Sequence, residues 1–283
     1  MSATPRNLLP LLVLPAVAVN LFTFLWPMLN LAGLSFREGL PGGGIGAAFS
    51  LATWGDLLAD EFYLEILLRS VGMALGITGL ALLASYPIAF FVHRADARWR
   101  NLLVVACISP LLISAVVRTY GWLVILGDAG FLPVILRGLG FAPPRLVFNM
   151  TGVVIGLVEI LMPYMILSLL AGFGRLNQTL EEAAASLGAP PLVVFWRIVL
   201  PLTLPGILLG CLLVFVLTVS SFITPKLLGG GRVLLLATEI YDQAIVTLNW
   251  PLAAALSLIA LGVFGAALLV YGRISRAAER SIA

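Results

Sequence analysis

Residues 150–174 read MTGVVIGLVEILMPYMILSLLAGFG, a run of 25 residues in which Glu159 is the only charged side chain. A helix that crosses the hydrocarbon core of a bilayer needs about 20 predominantly apolar residues. A transmembrane β-strand would instead alternate apolar and polar positions over about 10 residues. Because this run is continuous and long enough, it predicts a transmembrane α-helix and argues against a β-barrel.

Five further apolar runs lie on either side of this one. The chain has 283 residues, of which 61% are hydrophobic and 10% are charged, whereas a soluble domain carries about 25% charged residues. This composition argues strongly against a soluble enzyme or a nucleic-acid-binding domain. We expect an all-α, polytopic membrane protein in which residues 1–283 form a single transmembrane domain. The predicted spans are residues 8–31, 68–92, 102–126, 150–174, 202–224 and 251–272.

The orientation is predicted from the basic residues near the span ends, which accumulate in cytoplasmic segments. With the N-terminus in the cytoplasm, nine of the 16 basic residues lie in inner segments and seven in outer ones. We therefore expect both termini in the cytoplasm. Arg6, the apolar stretch after it and Ala16-Val17-Ala18 also fit a cleavable signal peptide. The apolar run continues to Leu31, however, which makes it long enough to span.

The outer segment 32–67 begins with a glycine-rich stretch around Gly42–Gly44. Apolar residues then recur at helical spacing with acidic residues between them, a pattern typical of an amphipathic helix at a membrane interface. These apolar residues are Leu51, Trp54, Leu57, Leu58 and Phe62. Glu65 and Arg69 are four residues apart, so we expect them to pair on one helix face.

The inner loop 175–200 has the most specific local pattern in the chain. Thr179 followed three residues later by Glu182 fits a capping box at the start of a helix. Gly188 stands where a left-handed residue ends that helix, and Pro190-Pro191 fits the first turn of the next one. The loop is therefore predicted to form a short helix–turn–helix with a face of small residues.

The same loop resembles the EAA motif of permease subunits in bacterial ABC importers. A lone Glu-Ala-Ala is weak, but the full spacing also includes a glycine and a downstream Ile-x-Leu-Pro. The matching residues are Glu182, Ala183, Ala184, Gly188, Ile198, Leu200 and Pro201. The resemblance implies a six-span type I ABC importer fold and a docking contact between this loop and a cytoplasmic ATPase.

Nearly the whole chain is similar to the spermidine/putrescine-type permease family, and more closely to the first of the two permeases in such systems. The stretches that carry this resemblance are Tyr86–Phe90, Arg118–Trp122, Pro201–Ile207, Thr224–Gly231 and Asn249–Pro251 followed by Ala253–Ala255. The resemblance implies an ATP-driven importer in the bacterial inner membrane that translocates a polyamine or a related small polar solute. Within the family, opines and amino-acid derivatives are alternative solutes.

The resemblance also implies the partners of the chain. They are a second related permease, a cytoplasmic ATPase dimer that binds ATP and magnesium, and a periplasmic or extracytoplasmic solute-binding protein, all within or beside the lipid bilayer. No nucleic acid is expected to bind. The chain carries no catalytic motif such as HExxH, GxSxG or a P-loop lysine. We therefore expect no catalytic residue, metal or cofactor in this chain.

The candidate residues of a translocation path are Glu159, Arg118, Tyr120 and Tyr164. Glu159 lies deep in its span, where an ionisable residue indicates a pathway by default; a structural, ion-paired acid is the alternative. Arg118 is interpreted first as a snorkelling residue and second as a solute contact. Tyr120 and Trp122 suit an interfacial aromatic belt.

Two other classes of function compete with an importer permease. An ion-coupled secondary transporter would work alone, and it would need neither a docking loop nor an ATPase. An intramembrane enzyme would need catalytic groups that the sequence lacks. His93, the only histidine, stands at a predicted span end beside Arg94 and is interpreted as an interfacial residue.

Overall fold

The computed structural model describes residues 8–40, 42–174 and 176–282. Arg6, part of the signal-peptide alternative, and Arg175, the first residue of the predicted inner loop, lie outside this part of the chain. In chain order the elements are α1 (Leu8–Ser35), β1 (Arg37–Leu40), β2 (Gly44–Phe49), α2 (Ala52–Ala59), α3 (Glu61–Arg94), α4 (Ala97–Ile108), α5 (Ala115–Leu126), α6 (Phe131–Gly138), α7 (Met150–Phe173), α8 (Gln178–Ser186), α9 (Pro191–Val194), α10 (Leu200–Ser220), α11 (Ile223–Leu228), α12 (Leu236–Tyr241) and α13 (Trp250–Ile282).

Within the described residues, six stretches are long and apolar enough to cross a membrane, which confirms the predicted number of spans. They are Val13–Ser35, Glu61–Arg94, Ala115–Gly138, Met150–Phe173, Pro191–Ser220 and Trp250–Ala277. Helices prevail because a bilayer offers no hydrogen-bond partner to the backbone, so each span satisfies its N–H and C=O groups internally.

The predicted third span, 102–126, is not one continuous helix. After α4 the chain forms a 3₁₀ turn at Ser109–Leu112 and then runs extended through Ser114. Pro110 lies in this turn, and a proline has no N–H to continue a helical hydrogen-bond ladder. Ser114 caps α5 with its hydroxyl oxygen, so the second helix of this region begins at Ala115. The stretch that is long and apolar enough to cross a membrane, judged by length and composition, is Ala115–Gly138.

A β-hairpin that the sequence did not predict occupies the glycine-rich stretch. Strands β1 and β2 are antiparallel, with Leu40 opposite Gly44. Gly42 and Gly43 have φ angles of +88° and +92°, which a residue without Cβ adopts at little steric cost. The strands have four and six residues, which is too short for their alternation to stand out from the surrounding apolar sequence.

The predicted amphipathic helix is shorter than expected, because α2 comprises only Ala52–Ala59. Leu57 is its buried residue, whereas Leu51 and Leu58 are exposed. The expected ion pair between Glu65 and Arg69 is present on α3. Of the predicted apolar face, only Leu57 is buried, and Trp54 is partly buried.

The core of the larger part of the molecule is centred on α7, which packs tightly against α10. A Cβ placed on Gly206 would lie 2.7 Å from Cα of Gly172, and one placed on Gly172 would lie 2.9 Å from Cα of Gly206. Small residues at such crossings let two membrane helices approach backbone to backbone. Buried side chains around this contact include Ile77, Leu157, Met165, Leu169, Phe173 and Val214.

The contacts group the chain into two compact units. The first contains the described residues up to Tyr63 together with Ile240–Ile259, and the second contains Leu64–Glu239 and the residues from Ala260 onward. The hairpin belongs to the first unit. All of the candidate sites described below belong to the second. A single transmembrane domain over the whole chain stays a prediction.

Candidate functional site

The predicted helix–turn–helix is present, but its first cap differs from the expectation. The side-chain oxygen of Asn177 accepts the N–H of Thr179 at 3.1 Å, so Asn177 is the N-cap of α8. The predicted capping box of Thr179 and Glu182 is therefore wrong. The helix begins two residues earlier than expected, and asparagine is among the preferred N-cap residues. Glu182 is an exposed residue of α8.

Gly188 ends α8 in the predicted left-handed conformation, with φ of +80°. The N–H groups of Gly188 and Ala189 donate to the carbonyl oxygens of Ala185 and Ala184 at 2.9 and 3.1 Å, which is a Schellman motif. No atom lies within 4 Å of a Cβ placed on Gly188. Glycine is therefore needed here for its backbone conformation and not for lack of space.

The residues of the EAA-like pattern fall into two groups. Pro191 begins α9 in its first turn, as predicted, and a π-helical turn at Phe195–Val199 then leads into α10. The first group lies on α8 and at its end, where Ala184 is partly buried and the others are exposed: Glu182, Ala183 and Gly188. The second group lies at the junction with α10 and is partly buried: Ile198, Leu200 and Pro201.

Residues 178–199, which we call the α8–α9 segment, present large apolar side chains to the surface. Leu187 is 88% exposed at the tip of the turn, and Leu180, Leu192 and Trp196 are exposed as well. Isolated exposed leucines are ordinary, but a group of them on one short segment is typical of a surface that contacts another protein. The small side chains between them allow a close approach.

An ion pair connects the α8–α9 segment with the end of α3. The guanidinium of Arg94 donates to the carboxylate of Glu181 and also lies 4.3 Å from the ring centroid of Phe90. The Arg94 side chain is 50% exposed and that of Glu181 17%. A cleft of about 380 Å³ beside this pair is lined by residues that include Glu182 and Phe195.

An aromatic cluster continues this connection into the helices, and the sequence reasoning missed it. Phe195 packs against Tyr86 and Phe90 with ring centroids 5.8 and 6.3 Å apart, and Phe173 contacts the same two rings at 5.5 and 5.8 Å. The Tyr86 hydroxyl is hydrogen-bonded to the hydroxyl of Thr203 at 3.2 Å. The cluster thus joins α3, α7 and the start of α10. Its only sequence signal is the four-residue spacing of Tyr86 and Phe90.

A second ion pair lies inside the spans, between Arg118 on α5 and Glu159 on α7. The guanidinium donates to Glu159 Oε1 at 2.5 Å, and the indole N–H of Trp122 donates to Glu159 Oε2 at 3.0 Å. The Arg118 side chain is only 9% exposed. Arg118 therefore does not snorkel to the interface, and Trp122 does not belong to an interfacial belt. Both side chains instead donate hydrogen bonds to the Glu159 carboxylate.

Pro163 explains a further contact of this pair. A proline has no N–H, so the carbonyl four residues earlier in the helix loses its donor. That carbonyl belongs to Glu159, and Arg118 donates to it at 3.1 Å. Arg118 also donates to the carbonyl of Pro110 at 3.4 Å. One guanidinium thus satisfies the freed carbonyl and fastens the 3₁₀ turn to α7.

The candidate path residues are only partly brought together. Arg118 and Tyr164 line one cleft of about 430 Å³, next to Ser114 in the interruption before α5. Tyr120 is exposed and does not line that cleft. The carboxylate of Glu159, with its side chain 37% exposed, lies against Arg118. The ion pair fits the structural alternative for Glu159, while a role in solute passage stays a prediction.

The described residues contain no group of three or more histidine, cysteine, aspartate or glutamate side chains that could hold a metal ion. Six apolar helices combined with an exposed helix–turn–helix define a multi-pass membrane protein of the transport-permease class. Residues 101–280 match the family described as binding-protein-dependent transport system inner membrane component. The chain belongs to this family.

Individual relatives agree with that assignment. The chain is 38% identical over 264 residues to the spermidine/putrescine transport system permease protein PotB of Escherichia coli K12, covering 93% of this chain and 95% of the relative. It is 35% identical over 227 residues to the PotB protein of Haemophilus influenzae, covering 80% and 79%. These relatives are transport permeases and not enzymes.

A solved structure shares the fold. The crystal structure of a bacterial alginate ABC transporter in complex with an alginate pentasaccharide-bound periplasmic protein contains a chain that matches with a TM-score of 0.70. The match covers 95% of this chain and 94% of that one at 19% sequence identity. At this identity the likeness shows the ABC importer permease fold alone.

Proposed function

We propose that the chain is one permease subunit of an ATP-driven importer and that its α8–α9 segment docks on a cytoplasmic ATPase dimer. The observation that carries the proposal is an exposed helix–turn–helix with apolar side chains around a glycine-dependent turn, joined to the spanning helices by an ion pair and an aromatic cluster. ATP hydrolysis takes place on the partner, and this chain performs no catalysis.

The coupling is mechanical. Closure of the ATPase dimer on ATP displaces the α8–α9 segment, and the rings of Phe195, Phe90 and Phe173 transmit the displacement to α10, α3 and α7. Packed aromatic rings suit this role because a close-packed contact is not compressible and moves as a unit. The spans then change their orientation about a central path, a rigid-body transition driven by a bound ligand.

The proposed orientation has both termini in the cytoplasm of a bacterium and the chain in its inner membrane. This orientation places the α8–α9 segment on the ATPase side, consistent with the excess of basic residues there. The remaining partners are a second related permease and an extracytoplasmic solute-binding protein that delivers the solute. The hairpin and α2 are then on the outer side.

The proposed solute is a polyamine of the spermidine/putrescine type, and the similarity to PotB proteins supports it. The Glu159 carboxylate binds two donors and retains unused acceptor capacity, so it can contact an ammonium group in passing. Tyr164 and Tyr120 present aromatic faces, which attract cations. An opine or an amino-acid derivative is the second candidate within the same type of importer.

Reconstitution tests this function against a stand-alone, ion-coupled transporter. The permease is placed in proteoliposomes with its partner permease, ATPase and binding protein, and radiolabelled spermidine uptake is measured with and without the ATPase. Uptake that depends on the ATPase and on ATP supports the proposal. Ion-gradient-driven uptake by the permease alone would overturn it.

The solute is tested separately on the cognate binding protein. Calorimetric titration with a panel of polyamines, opines and amino-acid derivatives identifies the ligand that it binds. Preferential binding of spermidine or putrescine supports a polyamine importer. Preferential binding of an opine would change the solute while leaving the permease role intact.

A further inference from the structure

A cavity of about 680 Å³ lies between the end of α3, the start of α4 and the end of α7. The walls of the cavity are polar near the helix ends and apolar further along the helices. His93, Arg100 and Asn101 line the part near the helix ends, and Val104 and Leu167 line the part that reaches into the spans. From Arg100 to Val104 the helix rises about 6 Å.

One residue of the polar part of this cavity has a side-chain atom without a hydrogen-bond partner among the described residues. Nε2 of His93 is buried and has no hydrogen-bond partner among the described residues. The His93 ring is held in place by stacking on Phe173, with centroids 5.3 Å apart. A buried, unsatisfied ring nitrogen is costly, so a small shift of the ring that brings Nε2 to a ligand in the cavity would be favoured.

The charge at the cavity is positive. Glu181, Arg100 and Arg94 are the charged groups that act on His93. The Glu181 carboxylate is already paired with Arg94, whereas Arg100 forms no ion pair with any described residue. The uncompensated charge beside the cavity is therefore the guanidinium of Arg100, which favours an anion.

The first turns of α4 have the composition of a membrane interface. Arg98, Trp99 and Arg100 follow one another and are exposed, and tryptophan beside arginine is typical of the headgroup region. None of the residues of α4 is buried, so the apolar face of this helix needs a cover. A basic pocket between transmembrane helices at the cytoplasmic surface is the kind of site that binds anionic lipid headgroups.

We infer that this cavity binds an anionic phospholipid of the inner leaflet, with its phosphate at His93, Arg100 and Asn101 and the start of an acyl chain against Val104 and Leu167. The inner-leaflet placement rests on the proposed function, because it follows from the cytoplasmic position of the α8–α9 segment. The lipid would cover α4 and satisfy His93 next to Phe173, a ring of the aromatic cluster.

Photolabelling tests the site directly. The complete importer is purified in detergent and incubated with phosphatidylglycerol that carries a photoactivatable group in its acyl chain, and the labelled peptides are mapped by mass spectrometry. The matched variants are Arg100→Gln, which removes a lining charge, and Arg98→Gln, which removes a charge of the same helix that does not line the cavity. Val104→Trp fills the apolar part and leaves Arg100 in place.

Labels within 97–108 and 167–174 are expected. Arg100→Gln should lower labelling about fivefold, since one arginine beside an anionic surface contributes about 1 kcal/mol. Val104→Trp should lower it as well, and Arg98→Gln should leave it nearly unchanged. Thermal unfolding of each variant verifies that it is folded.

Three results would overturn the inference. Equal losses in Arg100→Gln and Arg98→Gln would indicate diffuse charge attraction. Equal labelling by photoactivatable phosphatidylcholine would indicate a purely apolar groove, such as a partner helix would cover. Competition by soluble glycerol phosphate at the same concentration as the lipid would indicate a site for a free anion, because the acyl chain would then contribute nothing to binding. Because labelling requires neither ATP nor solute, these outcomes do not depend on whether the proposed transport function holds.

Discussion

Two arginine–glutamate pairs of the second unit join different helices, and their surroundings differ. Arg118 is 9% exposed, and it contacts the Glu159 carboxylate and two backbone carbonyls inside the spans. Arg94 is 50% exposed, and it contacts the Glu181 carboxylate and one aromatic ring at the surface. The first pair holds helices together where water is scarce. The second joins the α8–α9 segment to α3, and there water reaches the half-exposed guanidinium of Arg94.

The difference in the exposure of the two arginines indicates that the two pairs have different roles. A buried charge without its partner is strongly destabilising, so the Arg118–Glu159 pair resists rearrangement and fixes α5 against α7. An exposed pair contributes little to stability, so the Arg94–Glu181 pair can open and close at small cost. We therefore expect substitutions in the interior to change stability and those in the α8–α9 segment to change coupling.

Glu159→Leu should have the largest effect on stability. The substitution leaves the nearly buried Arg118 guanidinium without its carboxylate partner. The expected loss of unfolding free energy is about 3 kcal/mol. This is the lower end of the range for buried pairs, because the Glu159 side chain is partly exposed. The measurement is thermal unfolding of the purified protein in detergent. The double variant Arg118→Met/Glu159→Leu should recover most of the loss. An unchanged unfolding temperature in the single variant would show that the pair is not structural.

The same double variant sharpens the role of Glu159. If the carboxylate also contacts the solute in passing, restored stability should not restore uptake in the reconstituted importer. Uptake at the wild-type rate would leave Glu159 with a structural role only.

Gly206→Ala should have an intermediate effect on the free energy of unfolding. The new Cβ would lie 2.7 Å from the carbonyl oxygen of Ser168 and from Cα of Gly172, and neither backbone atom can move without shifting a helix. Overpacking of this kind costs about 1–3 kcal/mol. Gly72→Ala is the control, because no atom lies within 4 Å of its added Cβ. Equal unfolding temperatures for the two variants would contradict the close α7–α10 contact.

Arg94→Gln should have the smallest effect on stability, below about 1 kcal/mol. Added salt should reduce even this difference, since exposed charges are screened. The transport of solute per ATP hydrolysed should nevertheless fall, because the segment loses a link to α3. A large drop in unfolding temperature would mean that this pair resembles the interior one.

The sequence predicted the parts of the structure that depend on residues close to one another in the chain. Six continuous apolar runs predict six helices, because a helix satisfies its backbone groups within one segment whereas barrel strands would alternate apolar and polar residues. The turn at Gly188 was predicted because its capping bonds connect residues at most five positions apart. The freed carbonyl before Pro163 was also predictable, although its donor was not, because Arg118 lies 41 residues away.

The errors have physical reasons of the same kind. The interruption at Ser109–Leu112 lies within a continuous apolar run, so hydropathy does not reveal it, and Pro110 is the only signal. Asn177 and Thr179 are both good caps, and the sequence alone does not decide between them. The aromatic cluster depends on contacts between residues that are distant in the chain, such as Phe90 and Phe195, which no periodicity predicts.

The coupling role of the α8–α9 segment is tested most directly by the number of solute molecules transported per ATP hydrolysed in proteoliposomes that contain the complete importer. Gly188→Val is compared with Gly140→Val, because both glycines have φ near +80° and open space around them. We predict that Gly188→Val lowers this ratio severalfold while Gly140→Val leaves it near the wild-type value. Unchanged transport and ATPase stimulation in Gly188→Val would contradict the docking of this segment on the ATPase.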